Sequence, residues 1–105
     1  MRTLEFVVDG QVIRKDPGCD FSNIVPGSSG YLEAKFKFSN EWDGCVKAAS
    51  FWHDGTEYAT GLNKDDACTI PAAALVGRKF EVSVTGAKAG GFKIPTGKAT
   101  VKQEA

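Results

Sequence analysis

His53 is the only histidine of the chain, and its neighbours in the sequence include residues that take part in nucleophilic catalysis. Ser50 and Cys45 could act as nucleophiles, and Asp54 could orient the imidazole. Ser50 and His53 are, however, three residues apart on or beside a predicted strand, so their side chains should point to opposite faces. We therefore interpret His53 as a solvated turn residue and predict a protein that is not an enzyme.

The three cysteines, Cys19, Cys45 and Cys68, are too far apart in sequence for the paired spacing of a zinc site, and their odd number does not suit a disulfide scaffold. We predict three reduced thiols that pack as small hydrophobic groups, with one disulfide and a free thiol as the alternative. Asp65 and Asp66 lie in a polar turn without the denser oxygen ligands of a calcium loop. The sequence thus predicts no metal site.

The glycine-rich segments of the C-terminal half resemble phosphate-binding loops only superficially. The run 91–100 has one residue too many between its glycines for a P-loop, and Ala99 replaces the hydroxyl that would hold magnesium. The segment 86–91 lacks the strand-turn-helix frame of a dinucleotide site. We interpret both segments as hairpin loops and expect no cofactor.

Composition excludes several classes of partner. The 105 residues carry 13 Lys+Arg against 13 Asp+Glu, and 42% of them are hydrophobic. A neutral chain lacks the strong field that nucleic-acid binders need, and the lysines at Lys35 and Lys37 are typical of a protected strand edge. The first ten residues do not form a signal peptide, and no apolar run is long enough to span a membrane. We expect neither nucleic acid nor membrane as a partner.

The alternation of apolar and polar residues predicts strands throughout the chain. The segment 31–38 alternates strictly, and the pairs Asp9-Gly10 and Asp54-Gly55 lie between apolar runs, as in tight hairpins. Pro71 followed by three alanines predicts at most one helical turn, near 71–76. Seven or eight short strands separated by turns indicate an all-β fold, a two-sheet antiparallel β-sandwich, in one domain over 1–105.

The aromatic residues are the best candidates for a contact surface. With Asp54-Gly55 at the turn, Phe51 faces Tyr58 while Trp52 faces Glu57 on the opposite side of the ribbon. If Phe51 points into the core, Trp52 points out, where it would be an interface anchor or a platform for stacking on sugars. We name Trp52, His53, Tyr58 and Tyr31 as candidate partner contacts. Trp42, in a turn, is expected to belong to the core.

The middle of the chain resembles a known family. A strand leads into Trp42-Asp43-Gly44, then Lys47 and Phe51 lie on the next strand; a Cys-x-Ile-Pro step at 68–71, a strand ending in Gly86 and a closing Ile-Pro-Thr at 94–96 continue the likeness. Over roughly 31–103, this pattern is similar to the immunoglobulin-like N-terminal domain of phage baseplate upper proteins and related tail and fibre proteins of Firmicutes phages. The resemblance implies an immunoglobulin-like sandwich and brings no catalytic residues. The hairpin at 9–10 and the segment 16–30 have no counterpart in it.

The resemblance implies a non-enzymatic structural module of a phage or prophage virion. Such a module would fold in the bacterial cytoplasm and then join a tail, baseplate or fibre through contacts with other virion proteins, and we expect a homo-oligomer. Two alternatives remain open from the sequence. One is a carbohydrate-binding module in which Trp52 stacks on sugars together with Tyr58 or Tyr31. The other is a small phage-encoded protein that acts on a host partner.

Overall fold

The computed structural model describes residues 1–104, in which nine strands and two short 3-10 turns form a two-sheet β-sandwich. The strands are β1 (Arg2–Asp9), β2 (Val12–Lys15), β3 (Leu32–Phe38), β4 (Val46–His53), β5 (Thr56–Gly61), β6 (Ala67–Thr69), β7 (Lys79–Lys88), β8 (Phe92–Pro95) and β9 (Ala99–Lys102). One sheet has the order β2-β1-β3-β6. The other has the order β5-β4-β7, and both β8 and β9 pair with the far edge of β7.

The core lies between the inner faces of the two sheets. Strand β3 buries Leu32, Ala34 and Phe36 on one face, which confirms the alternation seen in the sequence. Phe51 on β4 and Phe80 on β7 meet this layer from the five-stranded sheet, and both are almost fully buried. Burial of each such ring contributes about 2–3 kcal/mol, so the opposed faces of the sandwich supply most of the stabilisation.

Strands β1 and β3 run parallel, although an antiparallel sandwich was predicted. Their register extends from Arg2 opposite Leu32 to Val8 opposite Phe38. A parallel pair requires the chain to return to the start of the first strand before the second begins. The segment 16–31 makes that return, and we call it the return segment. All other pairs in the two sheets are antiparallel.

The return segment is held against β1 and against the opposite sheet. The Arg2 guanidinium donates to the carbonyl groups of Asp20, Ser22 and Asn23 at 2.6–3.1 Å. Ile24 is buried in the core, and its carbonyl accepts from the Glu104 amide. The return segment is therefore a fixed connection, held by Arg2 on one side and by Ile24 on the other.

Strands β8 and β9 are two parts of one edge, separated by a β-bulge. Pro95 lies opposite Thr85, but Ala99 lies opposite Val82, so the register changes by one residue between the two strands. Thr96 still pairs with Val84, because its amide donates to the Val84 carbonyl and its side-chain Oγ1 accepts from the Val84 amide. Gly97 and Lys98 consequently face the single residue Ser83. The structure thus has nine strands, where seven or eight were predicted.

The two predicted hairpins form, but their turns differ. At 53–56 the central residues are Asp54 (φ 53°) and Gly55 (φ 79°), as predicted. In the first hairpin Asp9 pairs with Val12, so the centre is Gly10-Gln11 rather than Asp9-Gly10. Of those two only Gly10 has a positive φ, which suits a type II′ turn. The helical turn predicted near 71–76 is confirmed as the 3-10 turn Ala72–Leu75, and a second short 3-10 turn, Asn40–Trp42, was not predicted. In residues 1–104 neither turn is a helix that could span a membrane.

Candidate functional site

Trp42 is a core residue, as the sequence predicted. Its side chain is completely buried, its Nε1 donates to the Gly10 carbonyl at 2.9 Å, and its ring contacts Phe38 with centroids 4.9 Å apart. Gly86 on β7 makes room for it, since a Cβ at that position would lie 2.8 Å from two ring carbons. Trp42 therefore fixes the β1–β2 turn against the five-stranded sheet.

Lys47 joins the same cluster at its solvent side. Its Nζ lies 4.8 Å from the centroid of Phe38 and 3.0 Å from Oδ1 of Asp66, and only 16% of its side chain is exposed. The ammonium is therefore held between an aromatic face and a carboxylate. Several residues that carry the family resemblance thus pack against one another, and their role in this fold is structural.

Trp52 lies on the outer face of the five-stranded sheet and is half-buried. This resolves the choice left open by the sequence, because Phe51, its neighbour on β4, is fully buried in the core. Glu57 and Glu81 are its cross-strand partners on either side, and its Nε1 donates to Ser83 Oγ at 3.0 Å. This bond directs the indole towards β7 and satisfies its N–H group.

Lys98 covers Trp52 from the bulge. Its Nζ lies 3.9 Å from the centroid of the indole, within the range of a cation–π contact. In a regular strand only one residue would lie opposite Ser83. The bulge adds a second residue there, and this places Lys98 over Trp52. Ser50, which is 9% exposed on the same face, donates to a carboxylate oxygen of Glu57. We call the five residues Ser50, Trp52, Glu57, Ser83 and Lys98 the Trp52 patch.

The other candidate contact residues do not join this patch. Tyr58 lies opposite Phe51, on the inner side of the ribbon, and packs partly against the core. The imidazole of His53 is packed against Gly77, where an added Cβ would lie 2.4 Å from Cε1. His53 is therefore half-buried, which corrects its interpretation as a solvated turn residue. Tyr31 is 52% exposed but precedes β3 in the other sheet.

Residues with nucleophilic or basic side chains are dispersed. The Ser50 hydroxyl donates a hydrogen bond to Glu57 on the outer face, whereas the His53 side chain packs against Gly77. Cys45 precedes β4 and His53 ends it, so the two are about 25 Å apart along the strand. In residues 1–104 no group of three or more His, Cys, Asp or Glu side chains is placed to hold a metal ion.

All three cysteines are free thiols, with Cys19 and Cys45 half-buried and Cys68 buried. Burial, with a smaller contribution from the negative charge of Glu33, raises the pKa of the Cys68 thiol to about 12. Cys19 has a structural role, because its Sγ accepts a hydrogen bond from the Glu5 amide at 3.4 Å.

A groove of about 440 Å³ lies between the tip of the β1–β2 hairpin and the β7–β8 hairpin. Glu41, Lys88 and Lys93 line it together with Phe92, and Lys88 Nζ lies 4.6 Å from the centroid of the Phe92 ring. Its charges have both signs. The groove therefore offers contact area lined by acidic and basic side chains.

The outer edge of β5 is open. In the part of the chain that the structure describes, β5 pairs with β4 alone. A two-residue turn is closed by a hydrogen-bonded pair, here His53 with Thr56. Hydrogen-bonded pairs recur at every second residue of an antiparallel ladder. The bond from the Leu62 amide to the Lys47 carbonyl fits this alternation. The backbone groups of Glu57, Ala59 and Gly61 therefore point away from β4, into solvent.

Sequence reasoning did not identify this edge or Lys98. The Asp54-Gly55 turn already determines which residues of β5 form hydrogen bonds to β4. The outward backbone groups of Glu57, Ala59 and Gly61 follow from that turn. What it could not show is that no later strand covers β5, because strand order depends on long-range packing. No family model, curated protein or solved structure matches the chain.

Proposed function

We propose that this chain is a non-enzymatic structural module of a phage or prophage virion and that it acts through protein–protein contacts. One observation carries the proposal: β5 is an open edge strand without lysine, proline or a bulge. The family resemblance over roughly 31–103 supports the setting in a tail, baseplate or fibre.

The other edges of the sandwich are all protected. Strand β2 has four residues and ends in Arg14-Lys15, β6 has only three residues, and the β8–β9 edge contains Pro95 and the bulge. Short strands, lysines, prolines and bulges are the usual means of preventing unwanted strand addition. Because the other three edges carry these features, the edge formed by β5 differs from them.

Strand β5 has six residues, TEYATG, which include no lysine, arginine or proline, and its pairing with β4 is regular from end to end. An open edge of this kind supports strand addition, in which backbone hydrogen bonds supply affinity and neighbouring side chains supply specificity. The balanced charge of the chain also suits a protein that is packed among others, since it creates no strong repulsion.

The proposal is tested on purified particles. Mass spectrometry and an antiserum against the chain should detect it in phage particles banded on a density gradient, at a constant ratio to a known tail protein. A host lysate from the same infection serves as the positive control for expression. Presence in infected cells together with absence from purified particles would rule out the virion role.

The carbohydrate-binding alternative loses its main support in this structure. Trp52 and Tyr58 lie on opposite sides of the ribbon, and Lys98 covers one face of the indole. A stacking platform needs an accessible ring face. Titration of the chain with candidate glycans should therefore leave its tryptophan fluorescence unchanged, and a saturable change that disappears in Trp52→Ala would favour this alternative instead.

A further inference from the structure

We propose that the open edge of β5 pairs with β5 of a second copy of this chain, antiparallel and with Ala59 on the two-fold axis. This inference deepens the proposed function, on which it depends for its biological setting. It states which surface makes a protein–protein contact and what occupies it.

Hydrogen bonding favours this register. The outward-facing residues Glu57, Ala59 and Gly61 are spaced symmetrically about Ala59, so that Ala59 meets the partner's Ala59 and Glu57 meets the partner's Gly61. Each of these pairs exchanges two backbone bonds, and the interface gains about six. An axis at Glu57 or at Tyr58 leaves part of the strand unpaired, and at Glu57 it also places two carboxylates directly opposite each other.

The side chains fit the same register. On the outer face the long side chain of Glu57 lies beside the partner's Gly61, and two small Ala59 side chains meet at the axis. On the inner face Tyr58 lies beside the partner's Thr60, an aromatic and β-branched pair of the kind that stabilises sheets. Large residues are thus opposite small ones throughout the strand, without a steric conflict.

Electrostatics does not oppose a second copy as the occupant. Because the chain has no net charge, two copies have no long-range electrostatic repulsion to overcome. In the proposed register the two Glu57 residues are four positions apart along the strands, about 14 Å. That distance exceeds the Debye length of about 10 Å at moderate salt. Ser50 also satisfies one oxygen of each Glu57 within its own chain.

The experiment measures association of the full chain by sedimentation velocity at concentrations up to about 1 mM. The wild type should show a concentration-dependent dimer. Ala59 is exposed, and Ala59→Lys places two ammonium groups opposite each other at the axis. This variant should raise the dimer Kd about fivefold or more, and Ala59→Glu should do the same, because like charges meet directly.

A mixture of the two variants gives the decisive result. Lysine on one copy then faces glutamate on the other, so the mixed dimer should form about tenfold more tightly than either variant alone. Thr100→Lys, on the same outer face but on β9, is the matched control and should dimerise like the wild type. Thermal unfolding of each variant establishes that it is folded.

Two results would overturn the proposal. One is a wild type that remains monomeric at all concentrations. The other is a dimer whose Kd in both Ala59→Lys and Ala59→Pro equals that of the wild type, since proline removes the outward amide without affecting the pairing with β4. Detection of the chain in purified particles does not depend on these results, so a monomer that is present in particles would leave the proposed function standing and assign the edge to a strand of another protein.

Discussion

The Lys98 ammonium lies 3.9 Å from the centroid of the Trp52 indole, and a β-bulge at Gly97-Lys98 places it there. The bulge also meets the other sheet, because Gly97 donates to the Gln11 carbonyl and the Gln11 side chain donates to the Pro95 carbonyl. One irregularity in an edge strand therefore both covers the half-buried indole and ties the hairpin tip of β1 and β2 to the opposite sheet.

Lys98→Ala should uncover Trp52. We expect acrylamide quenching of tryptophan fluorescence to increase, while buried Trp42 contributes little to the change. The free energy of unfolding should fall by about 0.5–1 kcal/mol, the value of an exposed cation–π contact. Lys93→Ala, which removes an exposed lysine from the neighbouring strand, is the control. Equal quenching in the wild type and in Lys98→Ala would show that the ammonium does not cover the ring in solution.

Gly86→Ala should destabilise the fold, because its new Cβ would lie 2.8 Å from the buried Trp42 ring and 3.1 Å from Cβ of Cys45. Overpacking of this kind costs about 1–3 kcal/mol. The measurement is the urea midpoint of unfolding. Gly97→Ala is the matched control, since an added Cβ meets nothing within 4 Å there. A Gly86→Ala variant as stable as this control would contradict the close packing of Trp42.

The buried thiol of Cys68 should make stability fall at alkaline pH. Its pKa is raised from 9.0 to about 12, so between these values the unfolded chain releases the proton and the folded chain retains it. Ionisation then favours unfolding progressively as the pH rises. Urea unfolding at a series of alkaline pH values should show a shallower decline for Cys68→Ala than for the wild type or for Cys19→Ala. Identical slopes would contradict the burial of the thiol.

Thiol labelling gives an independent check on the same residue. At neutral pH, half-buried Cys19 and Cys45 should react with a thiol-specific reagent before Cys68, which should react only on unfolding. Mass spectrometry of the labelled peptides identifies the order. Early labelling of Cys68 in the folded chain would show that its side of the core opens readily.

Asp16 should contribute to stability only above the acid range. Hydrogen bonds from the Gly18 amide and from Lys37 lower its pKa below 3.8. Its contribution is therefore present above that value and is lost as the pH falls through the lower folded pKa. Asp16→Asn keeps an acceptor for Gly18 but cannot ionise, so its urea midpoint should decline less on acidification. An Asp16→Asn variant with the wild-type acid profile would contradict this contribution.

Local features of the fold were predictable because local residues determine them. The Asp54-Gly55 turn fixed the register of β4 and β5, and that register correctly placed Trp52 opposite Glu57. Likewise, alternation identified the buried face of β3. In the first hairpin the prediction was wrong by one residue, because Gly10 alone takes a positive φ and Asp9 remains in the strand.

Features that depend on distant contacts were not predictable. Pairing of β1 with β3 requires the return segment to lie against the far sheet, and nothing in its proline and glycine content specifies that path. The placement of Lys98 over Trp52 depends on a change of register that only the opposite strand reveals. The open edge of β5 likewise follows from the order of strands, which single-sequence patterns do not encode.

The parallel pair formed by β1 and β3 has a consequence for how quickly the chain folds. Arg2 meets Leu32 only after a long loop has closed, and the return segment is fixed in turn by Leu75 and Glu104, much later in the chain. The chain loses conformational entropy when these loops close, before the new contacts compensate for that loss. Refolding should therefore occur in milliseconds to seconds, as in other β-proteins dominated by non-local pairing, rather than in microseconds. Newly made chains would expose the β1 edge throughout that interval.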